Sequence, residues 1–97
     1  FSEGRGSKKR PALIVSSPPY HASREEVIVA AITSNVRRLL FGDTKVEQWK
    51  AAGLLFPSVV TGIIRTIKSD LISRKLGALA KSDLHKVYQH LRNTLGL

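Results

Sequence analysis

Residues 25–33 read EEVIVAAIT, and this stretch is the strongest strand signal in the chain. Its middle is apolar at nearly every position rather than at every second one. A strand of that kind is buried on both faces and lies centrally in a sheet. Its two leading acids, Glu25 and Glu26, are neighbours on a strand and point to opposite faces. They are therefore not a carboxylate pair for general acid–base work. Its far end is polar: Thr33, then Ser34 and Asn35. Polar groups where a strand runs into a loop are well placed for function.

Upstream, residues 10–17 read RPALIVSS, an apolar run bounded by turn residues that predicts a second strand. Pro11 restricts it to a strand start or a sheet edge. Before it comes FSEGRGSKK, a Gly-punctuated loop with Arg5, Lys8 and Lys9, and with Arg10 at its fixed end. If the two strands pair as an antiparallel hairpin, Arg10 lies near the 33–35 end. A guanidinium and a hydroxyl would then converge, one to hold a phosphate and the other to donate to it or position it. The plain alternative is an arginine that only caps a strand end. The GRGSKK loop does not have P-loop spacing, and a strand follows it instead of a helix.

Downstream, residues 16–23, SSPPYHAS, read as a turn or loop, and residues 34–43 as a loop or distorted strand end. Residues 44–52 suggest one or two helical turns around Trp49, closed by Gly53. Residues 58–61 and 63–67 read as strand material broken or bent at Gly62, with a possible short strand at 74–76. The C-terminus predicts an amphipathic helix. Ser82 is the expected N-cap, Asp83 suits the first turn, and Gly96 is the expected C-cap. Leu84, Val87, Tyr88, Leu91 and Leu95 share one face, expected to pack on a small sheet.

Composition narrows the function classes. The 97 residues predict one domain, 1–97, and 42% of them are apolar, as in an ordinary globular protein. Cys is absent, so disulfides and Cys-based zinc sites are excluded. His85 and His90 are five apart on one helix and do not face each other, and with no Cys and few carboxylates nearby no metal site is expected; no cofactor is expected either. The longest apolar run, 27–32, is too short to cross a bilayer, and no signal peptide is visible. The expectation is a soluble cytoplasmic protein with no membrane partner. Sixteen Lys and Arg against seven acids give a net charge of +9, which suits a polyanionic partner such as nucleic acid.

KKRPALIVSS, VIVAAITSN, AGLLFPSVV, IIRTI, RKLGAL and a final amphipathic helix ending LGL occur in this order. Together they resemble the MazF/PemK family of toxin–antitoxin endoribonucleases along nearly the whole chain. The resemblance implies a mainly β fold with helices, a small SH3-like or CcdB-type bent barrel with a C-terminal helix. It also implies a homodimer that cuts single-stranded RNA at short motifs without metal, leaving a 2′,3′-cyclic phosphate and a 5′-OH. A cognate antitoxin would block the RNA groove. Arg10 and Thr33 match the family's catalytic Arg and Thr. Ser34, Asn35 and Ser58 fall where members touch RNA, and Arg5, Lys8 and Lys9 would track the RNA backbone.

Three departures stand beside the likeness. Members usually carry a Gly-Asp and an apolar strand before the basic loop. Here the chain starts at Phe1, so the domain is expected to be N-terminally incomplete, with that first strand missing. Many members carry an acid in the loop, where only Glu3 is near. Some place an acid or amide before the Arg-Thr-Ile segment, where this chain has Gly62, Ile63 and Ile64. The general base is therefore unassigned. The alternative function is a non-catalytic relative that binds nucleic acid or protein.

Overall fold

A computed structural model describes residues 9–97; Arg5 and Lys8 lie outside the described residues. Four strands form one antiparallel sheet in the order β1-β2-β4-β3: β1 Ala12–Ile14, β2 Glu26–Thr33, β3 Thr44–Lys45 and β4 Val59–Lys68. Two helices join them, α1 Pro18–Arg24 and α2 Lys81–Leu95. The described part is thus a mainly β half-barrel with two helices. Among these strands β2 is central, as its unbroken apolar run requires.

Period-two alternation divides the sheet into two faces. One face carries Ala30 and Val60, which cluster with Val46 and with Val87 of α2. Leu13, Val15, Ile32, Trp49, Leu54 and Leu79 pack around this core. Val87 is the buried apolar anchor of the helix stripe, while Tyr88 beside it and Leu95 at the helix end stay exposed. Gly96 ends α2 in the left-handed region at φ 72°, as its lack of a Cβ allows.

Several expected elements differ. Residues 18–24 form a helix rather than a loop. Pro18 and Pro19 fill its first positions, where no N–H is needed and where φ is already helical. Glu25 then stops it at φ 55° and donates its N–H to the His21 carbonyl. Ser16 ties the helix to the sheet: its Oγ accepts the Ile28 N–H at 2.9 Å and shares a hydrogen bond with His21 Nε2.

Residues 44–45 are strand, because the β4 edge offers them a ladder, with Thr44 opposite Val60. The turns that follow close at Gly53, whose φ of +87° brings its backbone against the Leu76 carbonyl. That close approach holds residues 76–77 as irregular chain, and no strand forms at 74–76. The N-cap of α2 is Ala80, not Ser82. Asp83 is buried and reaches across to the turn, accepting from the backbone N–H groups of Glu47 and Gln48 at 3.1 and 2.9 Å.

β4 is continuous through Gly62, but its ladder is not. Ile32 pairs with Val60 and Ala30 pairs with Ile64, so Thr61, Gly62 and Ile63 together face Ala31. This is a bulge with two extra residues.

Candidate functional site

The β1–β2 register sets Ala12 opposite Ala31, and the Ile32 N–H bonds to the Pro11 carbonyl at 3.3 Å. Carried two residues further, it sets Arg10 opposite Thr33. On β4, Arg65 pairs with Val29. By alternation Arg10, Val29, Ala31, Thr33 and Arg65 share the sheet face opposite the α2 core. There they line one pocket of about 320 Å³, together with Pro11, Ile32, Thr61 and Ile63. Its floor is apolar, since Val29 is buried, and its rim holds the two guanidinium groups and the Thr33 hydroxyl.

Thr33 is held by the turn that follows it. Its Oγ1 accepts the Asn35 N–H at 3.1 Å, and Asn35 Oδ1 accepts the Arg37 N–H at 3.2 Å. In that bond the threonine oxygen accepts, so its own proton can be donated. Ser34 and Asn35 are exposed beside the pocket, and Lys9 is exposed next to Arg10. Ser34 also lines a shallower depression with Val36, Phe56 and Pro57.

Ser58 sits differently. It is buried, and its hydroxyl donates to the Phe56 carbonyl at 2.7 Å, which fixes the chain entering β4. It is not among the residues that line the Arg10–Thr33 pocket.

The sequence reading missed Arg65. It stands in IIRTI, next to apolar residues, and only the bulge reveals which β2 residue it faces. Its signal was a cation in the interior of a strand whose neighbouring positions are mostly apolar.

The described residues that line the pocket carry cations and no acid: two arginines, and neither a carboxylate nor an imidazole. An anion is the ligand that such a lining favours, and a planar guanidinium suits phosphate in particular. His21 is committed to Ser16, and His90 Nδ1 bonds to Thr44 Oγ1 at 2.6 Å on the core side. Among the described residues no three His, Asp or Glu side chains gather as a metal site. No described helix is long and apolar enough to cross a membrane. Beside α1, Glu26 accepts from Arg24 Nε at 3.0 Å. That bond, followed by the nearby Tyr20, raises the pKa of the Arg24 guanidinium.

Comparison with known proteins identifies the family. The chain is 35% identical over 99 residues to the endoribonuclease MazF2 of Mycobacterium bovis, covering 99% of this chain and 86% of that one. It is similar to the solved structure of the Mycobacterium tuberculosis toxin MazF-mt6, with TM-score 0.80, 31% identity, and coverage of 93% and 89% of the two chains. A mycobacterial endoribonuclease solved in complex with its cognate antitoxin shares the fold at TM-score 0.80 and 23% identity, over 97% and 87% of the two chains. Residues 1–95 match the family of PemK-like, MazF-like toxins of type II toxin–antitoxin systems, and the chain belongs to that family.

Proposed function

We propose that this toxin, an endoribonuclease, cleaves single-stranded RNA at short sequence motifs by internal transfer at phosphorus, without a metal ion. The ribose 2′-oxygen bonds to the adjacent phosphorus and the bond from phosphorus to the 5′-oxygen breaks. The 2′-OH gives up its proton, the departing 5′-oxygen gains one, and a 2′,3′-cyclic phosphate is left. Charge on the non-bridging oxygens grows along this path. Arg10 and Arg65 answer it from opposite sides of the pocket, and the Thr33 hydroxyl donates to or positions the phosphate. Fixed donors aimed at developing charge are the largest catalytic term in reactions of this kind.

One observation carries the reading: two arginines and a threonine hydroxyl converge over an apolar floor on the sheet face away from the core. Ser34 and Asn35 extend the site along the RNA, and Lys9, with Arg5 and Lys8 before it, adds phosphate contacts. The two guanidinium groups and the hydroxyl in the described lining suit charge stabilisation at the phosphate, and the general base is unassigned. A relative that binds RNA without cutting it would share that feature. The chemistry of the product ends separates the two readings. Mass spectrometry should find 2′,3′-cyclic phosphate and 5′-OH termini on RNA fragments produced in EDTA. Intact RNA recovered from a protein that binds it would establish the non-catalytic alternative.

The partners that fit are single-stranded RNA, a cognate antitoxin and a second copy of the chain. Exposed Leu39, Leu40, Phe41, Leu55 and Phe56 are the apolar surface from which such contacts can draw. Sedimentation at micromolar concentration should give the mass of a dimer.

A further inference from the structure

Arg65 belongs to the pocket only because of the β4 bulge. Near Thr33 the ladder pairs Thr33 with Val59 and Ile32 with Val60. Continued without interruption, it would set Arg65 opposite Val27. The two extra residues set Arg65 opposite Val29 instead. At about 3.4 Å per residue, the bulge advances Arg65 by roughly 7 Å along the strand toward Thr33.

The bulge is pinned by side chains on both of its edges. On the β2 side Thr61 Oγ1 donates to the Ala31 carbonyl at 2.8 Å and accepts the Ile63 N–H at 3.2 Å. On the other side, β3 begins only at Thr44, so it offers no backbone partner to Gly62. Asp43, the residue just before β3, fills that gap. Its Oδ1 accepts the Gly62 N–H at 3.0 Å, and its Oδ2 accepts the Leu40 N–H at 3.0 Å. The Asp43 N–H returns to the Leu40 carbonyl at 3.0 Å, which closes the loop on itself. The backbone at Gly62 also lies close to Phe41 and Gly42, near enough that a Cβ there would make ordinary contact with both.

We infer that Asp43 is a positioning residue for RNA cleavage: its carboxylate holds the β4 bulge in the register that brings Arg65 to the phosphate site. Asp43 does not itself line the pocket. It acts through the backbone at Gly62, and Thr61 is its counterpart on the opposite edge. The inference rests on the proposed RNA-cleaving role of this pocket.

A double-mutant cycle between Asp43 and Arg65 tests it. Cleavage of a single-stranded RNA is measured for the wild type, Asp43→Ala, Arg65→Ala and the double variant, with thermal unfolding of each. Asp43→Ala should lower kcat on the order of 10- to 100-fold, the scale that a displacement of about 1 Å can produce. In the Arg65→Ala background the same change should lower kcat by less than about twofold, while its cost in Tm persists. Thr61→Val, milder for folding, should behave in the same way, and Asp43→Asn should recover part of the lost rate through its remaining acceptor. Equal losses of kcat from Asp43→Ala with and without Arg65 would overturn the inference. So would full activity in Arg65→Ala, even where Arg10→Ala is inactive and the cleavage reading stands. If Asp43→Ala does not fold, the cycle of Asp43→Asn with Arg65→Ala decides by the same criterion.

Discussion

Replacing Asp83 by Ala should cost this protein much of its stability. Asp83 is 1% exposed, and its two carboxylate oxygens each accept one backbone N–H, from Glu47 and from Gln48. It is thus the clamp between α2 and the turns that carry Trp49. Hydrogen bonds to a charged group contribute about 1.5–3 kcal/mol each. Residues 47 and 48 are exposed, so water can reach their N–H groups after truncation, and removing a buried carboxylate also ends its desolvation cost. Both effects favour the low end, about 3 kcal/mol for the pair. At ~4–8 °C per kcal/mol for a domain of this size, Tm should fall by ~12–24 °C. Asp83→Asn keeps one acceptor and should lose roughly half as much. Thermal unfolding followed by circular dichroism measures both. A loss below ~3 °C in Asp83→Ala would refute the clamp and leave Asp83 as a first-turn charge complementing the helix dipole, worth only ~0.3–1 kcal/mol.

Thr33→Val should reduce cleavage on the order of 10²–10³-fold with Tm nearly unchanged, read by single-turnover kinetics. Gly53→Ala should destabilise by more than ~1 kcal/mol in urea unfolding, because its φ is +87° and a Cβ there meets the Leu76 carbonyl. Val87→Ala, at the centre of the helix contact, should cost about 2 kcal/mol in the same assay. Replacing Lys8 and Lys9 together by Ala should make the salt slope of log K for single-stranded RNA shallower by roughly 1.4, about 0.7 per phosphate contact. An unchanged slope would place the phosphate contacts elsewhere on the surface.

The strands and the last helix were legible because their signals are local. EEVIVAAIT can satisfy its apolar run only inside a sheet, and the α2 stripe with Gly96 is a complete helix pattern. Antiparallel pairing of 10–17 with 25–33 leaves few registers, so Arg10 near Thr33 was legible too. What escaped depends on partners distant in sequence. Residues 18–24 looked like a loop because two prolines read as turn punctuation, yet at a helix start they cost nothing. Residues 44–45 pair only because β4 presents an edge to them. Gly62 was legible as a break in β4, but the two-residue shift behind it was not. With that shift hidden, Arg65 stayed hidden too. Asp83 read correctly as a first-turn acid, but nothing local shows that its carboxylate reaches residues 47 and 48.

In the proposed cleavage site Arg10 and Thr33 act together without metal. The most direct test is to incubate single-stranded RNA with wild-type protein and with folded Arg10→Ala, both in excess EDTA. The wild type should cleave, and Arg10→Ala should lose activity on the order of 10²-fold or more, with matching unfolding curves. Cleavage at the wild-type rate by folded Arg10→Ala would contradict that role.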